Sequence, residues 1–126
     1  MNPPVVLQLP FPPSVNALWR FVGMGKVKLS HEARKYRHDG LKVLNGQEWQ
    51  PFGAEARLKV ALKIVEPDAP HWRGVDLDNH SKAVLDLLQQ GGVIVNDAQF
   101  DRVTLIRGGR SGTGYVLVHI AELDTG

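Results

Sequence analysis

The chain has 126 residues, which on the usual scale of roughly 100–200 residues per domain makes one domain over residues 1–126. Its 43% hydrophobic and 22% charged residues are those of a folded globular protein. The absence of cysteine excludes a disulfide framework, a thiol nucleophile, an iron–sulfur cluster and any cysteine-built zinc site.

In chain order, Val5 to Leu9 reads as a short strand ended by Pro10-Phe11-Pro12-Pro13, because prolines cannot donate to a ladder. Ser14 to Leu29 reads as a loop with a short hairpin around Gly23–Gly25. Ser30 is a candidate N-cap, with Glu32 in the first turn, for a helix over residues 31–44. Ala33, Gly40, Leu41 and Leu44 share a face of it, Gly40 is its weak point, and Asn45-Gly46 stops it. From Arg57 to Val65, Leu58, Val60, Leu62 and Ile64 alternate with Arg57, Lys59, Ala61 and Lys63, the period of a half-buried strand. Pro67 to Gly74 is a loop. A second helix is expected from Asn79 to Gln90, capped by Asp78 and stopped by Gly91-Gly92. Val93-Ile94-Val95 follows as a strand or turn, and Arg102–Arg107 and Tyr115–Ile120 as strands. The stretch Gly108 to Gly114 is too long for a two-residue turn and reads as a mobile linker. The order predicts an α/β (α+β) domain, a mixed sheet packed by two helices. No apolar run reaches the roughly 18–20 residues of a membrane span, and Met1 to Leu9 does not read as a leader, so a cytoplasmic protein without membrane contact is expected.

The net charge of +2 is unevenly spread. Arg20, Lys26, Lys28, Arg34, Lys35, Arg37 and Lys42 face only Glu32 and Asp39 between positions 20 and 42, a local +5. Seven acids between Glu66 and Asp101 face only Arg73 and Lys82, a local −5. A basic segment beside a carboxylate-rich one suits a metal-dependent enzyme acting on a polyanion, and it equally suits two solvated faces.

The chemistry concentrates in Asp76-Leu77-Asp78-Asn79, with Lys82 four residues beyond Asp78. In an extended approach, Asp76 and Asp78 point the same way and can share a cation, and carboxylates suit Mg²⁺ or Mn²⁺. Asn96-Asp97 follows the second helix on a path that could return to its N-terminal end, making Asp97 a third candidate ligand. On the residues alone the alternative stays open that Asp78 is only a cap and Asp78–Lys82–Asp86 only an ion-pair ladder. The register is wrong for an EF-hand loop. No G-x-x-x-x-G-K-[ST], H-E-x-x-H or G-x-S-x-G pattern is present.

Read together, Leu9-Pro10-Phe11-Pro12-Pro13-Ser14-Val15-Asn16, Asp76-Leu77-Asp78-Asn79-x-x-Lys82-Ala83 and Asn96-Asp97-Ala98-Gln99 resemble, in order and spacing, the RusA-type Holliday junction resolvases of phages and prophages. The resemblance implies Asp76, Asp78 and Asp97 as catalytic ligands of Mg²⁺, with Mn²⁺ as a substitute, and Lys82 as the essential lysine. It implies supporting roles for Asn79 and Asn16. Arg73 stands alone where some members carry several arginines before the D-x-D. The implied protein is a homodimer without small-molecule cofactor that resolves four-way junctions by paired nicks in a bacterial or phage-infected cell. Arg20, Lys26, Lys28, Arg34, Lys35, Arg37 and Arg73 would hold the DNA. Nuclease action on flaps or forks, and non-catalytic junction binding, are the alternatives.

Overall fold

A computed structural model describes residues 2–14, 19–21, 27–70 and 74–123, with the backbone alone for 19–21 and 27–29. Strand β1 (Val5–Pro10) pairs antiparallel with β6 (Tyr115–Glu122), and β6 pairs antiparallel with β4 (Leu58–Glu66). Strand β4 in turn pairs in parallel with β5 (Phe100–Arg110), so the sheet order is β1-β6-β4-β5. Two three-residue strands, β2 (Trp19–Phe21) and β3 (Val27–Leu29), form a separate antiparallel pair, and the expected turn at Gly23–Gly25 lies outside the described residues.

The alternation read from the sequence decides which face is buried. Val5, Leu7 and Leu9 of β1, Leu58, Val60, Leu62 and Ile64 of β4, and Val116, Val118 and Ile120 of β6 form one core. The registers Leu7↔Val118 and Leu62↔Val118 put these residues side by side on one face. Against them lie α1 (His31–Asn45), through Ala33, Tyr36 and Leu44, and α2 (Lys82–Gln90), through Ala83, Val84, Leu87 and Leu88. Lys59, Lys63 and His119 stay exposed. The domain is therefore a mixed sheet with two helices on one side, as the element order implied. No helix among the described residues is long and apolar enough to cross a membrane.

Ser30 caps α1 as expected, its Oγ accepting from Ala33 N at 3.0 Å. Gly40 has a second role besides weakening that helix. A Cβ there would lie 2.6 Å from Leu87 Cδ2, so glycine sets how closely α1 and α2 approach. The second helix begins later than the sequence suggested. Leu77–His80 forms a 3₁₀ turn, Asp78 lies within it, and α2 proper starts at Lys82. Asp78 is therefore not the cap of α2.

The linker expectation is corrected as well. Strand β5 runs on to Arg110, and only residues 111–114 connect it to β6 across the end of β4. That crossing is pinned: Ser111 N donates to Glu66 O at 3.0 Å and Asp68 N to Gly112 O at 2.9 Å. Gly114, at φ +82°, passes so near Val65 O and Pro67 N that a Cβ would sit 2.9 Å from each. Val93–Val95 is a turn, with Val93 O accepting from Phe52 N at 3.0 Å.

Candidate active site

A parallel β4–β5 pair requires a crossover, and the acid turn with α2 supplies it. At the entrance, Asp76 has extended backbone (φ −77°, ψ 122°). Leu77 packs on the core, while its neighbours Asp76 and Asp78 are exposed. The turn is held by its own side chains. Asn79 donates twice to Asp76, from N to the carbonyl at 3.1 Å and from Nδ2 to Oδ2 at 3.3 Å. Ser81 Oγ donates to Asp78 O at 2.9 Å. His80 is buried, its ring 5.3 Å from that of Phe11 and its Nδ1 3.4 Å from Asp76 O.

Among the described residues, neither Asp76 nor Asp78 is ion-paired. Lys82 lies 3.6 Å from Asp86, both half exposed, so its ion-pair partner is the next acid along α2 and not Asp78. Two exposed carboxylates flanking an anchored leucine are hard oxygen donors open to a cation. Their chemistry fits Mg²⁺ or Mn²⁺.

Asp97 lies elsewhere. Asn96 caps a short 3₁₀ turn, Asp97–Gln99, accepting from Ala98 N at 2.8 Å. Buried Gln99 locks it, accepting from Val95 N and Asn96 N and donating to Gly53 O and Ala56 O at 2.8 and 3.0 Å. Arg57 pairs with Asp101 and donates to Ala98 O at 2.9 Å. Asp97 N donates to Gln89 Oε1 at 3.1 Å, which puts Asp97 beside the C-terminal end of α2. The acid turn is at the other end. The nine residues of α2 span about 13 Å, and β5 from Phe100 to Arg107 covers about 23 Å at ~3.3 Å per residue. The expected return path to the N-terminal end of the helix is therefore wrong. A helix that crosses between parallel strands runs opposite to them, so the residue entering β5 emerges at its far end. Among the described residues, no three His, Asp or Glu side chains gather closely enough to hold one ion.

Of the expected DNA contacts, Arg34 and Lys35 are exposed on α1 and Arg37 is half-buried. Arg20 and Lys28 stand opposite each other in the β2–β3 register. Asn16, Lys26 and Arg73 lie outside the described residues. Two residues beside the acid turn had no signal in the sequence, Arg107 and Glu66. They are 41 positions apart and meet near the acid turn, with Arg107 Nη2 donating to Val75 O at 2.9 Å.

The family model of endodeoxyribonuclease RusA matches residues 10–120, which include the acid turn, α2 and the Asn96–Gln99 turn. The chain belongs to the RusA family. A crossover junction endodeoxyribonuclease of Enterobacteria phage HK97 is 35% identical over 117 residues, covering 93% of each chain. Its namesakes from Enterobacteria phage 82 and Escherichia coli K12 are 32% and 31% identical over 93 residues, covering 74% of this chain and 73% of theirs. The two acidic motifs on which the sequence resemblance rests, Asp76-Leu77-Asp78-Asn79 and Asn96-Asp97-Ala98-Gln99, fall on two separate turns, one at each end of α2.

Proposed function

We propose that the protein is a Mg²⁺-dependent endonuclease that resolves four-way DNA junctions by paired nicks, acting as a homodimer in recombination and repair inside a bacterial cell. The observation that supports it most is the acid turn, with Asp76 and Asp78 exposed, unpaired among the described residues, and held by Leu77 and Asn79 in a chain of the RusA family. These two carboxylates would hold the cation. When bound, Mg²⁺ would supply charge neutralisation and lower the pKa of a water, so that the water can lose a proton and serve as the nucleophile on the phosphodiester. Lys82, on the first turn of α2, would offer its ammonium to the scissile phosphate in exchange for its exposed partner Asp86. Arg34, Lys35 and Arg37, with Arg20, Lys26, Lys28 and Arg73, would hold the backbone through contacts that salt weakens.

A second copy would supply the third acid. Asp97 is a helix length away from Asp76 in its own chain, so a site with three carboxylates needs another subunit's Asp97. A two-fold dimer then holds two such sites, which suits a substrate that is itself two-fold symmetric.

The test is cleavage of a synthetic four-way junction, labelled in turn on each strand, with and without Mg²⁺, beside a linear duplex of equal length. Symmetric nicks in opposite strands of the junction alone, only with metal, are expected. Metal-independent cleavage, or equal cutting of the linear duplex, would overturn the reading.

A further inference from the structure

The acid turn is held from its downstream side by Asn79 and His80. Its upstream side is held from a distant part of the fold. Arg107, on β5, spreads its guanidinium between two acceptors: Nη1 lies 3.2 Å from Glu66 Oε2 and Nη2 donates to Val75 O at 2.9 Å. Glu66, the last residue of β4, is buried, with 5% of its side chain exposed, whereas Arg107 is half exposed. The register of the parallel pair sets Arg107 beside Ile64, two residues before Glu66, so both partners are fixed by the sheet. Val75 immediately precedes Asp76.

We propose that Arg107 is a positioning residue for the metal-binding acids: anchored by Glu66, it clamps the Val75 carbonyl and so fixes the backbone direction at Asp76. The inference rests on the reading of Asp76 as a ligand. The physical reason for an arginine is its planar fork, which donates to two fixed acceptors at once, whereas a lysine is a single point charge on a flexible stem. Partners that orient metal ligands typically change metal affinity about 10–100-fold when altered.

Arg107→Lys keeps the charge near Glu66 and loses the second arm. Two readouts need no catalysis: Mn²⁺ binding followed by electron paramagnetic resonance, and amide exchange across Leu77–His80. In Arg107→Lys, Mn²⁺ affinity should fall about tenfold, and the Asn79 amide, bonded to Asp76 O, should exchange faster. Metal-free junction binding should stay at the wild-type level. Glu66→Gln retains an oxygen that accepts from Arg107 and should lose less Mn²⁺ affinity than Arg107→Lys. Wild-type Mn²⁺ affinity and exchange in Arg107→Lys would overturn the proposal. So would a loss of metal-free junction binding, which would make Arg107 a phosphate contact instead. If the wild type binds Mn²⁺ but cleaves no junction, the proposed function fails while both readouts still judge Arg107.

Discussion

Leu77 is the reason Asp76 and Asp78 are available to solvent. Its side chain is drawn to the core, and alternate residues on a short turn are then left facing outward. Replacing either aspartate by asparagine keeps shape and removes the charge that holds a cation. Junction cleavage should fall by orders of magnitude, since a metal supplies several kcal/mol of transition-state stabilisation. Junction binding should persist or tighten, because a charge that repels phosphate has gone. Gel-shift and cleavage assays on the same variants check both. Asp86 is the control: its exposed pair with Lys82 is worth a few tenths of a kcal/mol, so Asp86→Asn should leave the melting temperature nearly unchanged. A different kind of residue is Tyr36, whose hydroxyl is buried with no hydrogen-bond partner among the described residues. Burial pushes its phenol above the ordinary value of 10.0. A group whose folded pKa is raised contributes stability fully below its unfolded pKa and loses it as pH rises beyond. The protein should therefore lose stability above about pH 10. Tyr36→Phe should remove part of that loss and leave stability at pH 7 unchanged or higher, as read by urea titration at both pH values.

At the scale of elements, the helix pair turns on Gly40. Alanine there gains roughly 1 kcal/mol of helix propensity but drives its Cβ toward Leu87, which is buried against the sheet. Overpacking of this kind typically costs about 1–3 kcal/mol, so Gly40→Ala should lower the melting temperature on calorimetry. A rise would mean that Leu87 yields freely. Strands β1 and β4 and helix α1 were legible in the sequence because their signals are local: a period of two, a capping serine, a stopping glycine. The start of α2 was not, since Asp78 to Ser81 has the composition of a helix's first turn and only the bonds of Asn79 and Ser81 make it 3₁₀. The end of β5 was hidden for the opposite reason. Gly108 and Gly109 look like a linker, yet the ladder continues because Arg110 pairs with Glu66 at the end of β4. The acids were legible as residue types at a spacing. Where Asp97 stands was not, because that follows from β4 and β5 being parallel, a fact of pairing and not of composition.

For the whole molecule, the two edges of the sheet are treated differently. On β1 the side chain of Gln47 closes the edge, accepting from Gln8 N at 2.9 Å and donating to Gln8 O at 2.8 Å. On β5, the other edge, eleven residues run with no further strand beside them among the described residues, and Val103 and Ile106 are 45% and 43% exposed. A long open edge with two exposed apolar side chains is a surface on which another chain's strand could pair. A two-fold axis near Val103 and Thr104 would lay two β5 strands antiparallel, with the start of one beside Arg107 of the other. Asp97 of the second copy would then approach Asp76 and Asp78 of the first, which is the arrangement the proposed function needs. Mixing two inactive proteins tests it. Asp76→Asn and Asp97→Asn homodimers should each be inactive. In the mixed dimer, one site receives both substitutions and the other receives neither. Co-refolded Asp76→Asn and Asp97→Asn should therefore regain nicking of a four-way junction, cutting one strand per binding event where the wild type cuts two. If both ligand sets lay within one chain, each subunit would bear its own defect and the mixture would stay inactive. No recovery from a mixture shown by native mass spectrometry to contain the heterodimer would overturn the shared site and leave the roles of Asp76 and Asp78 to their own substitutions.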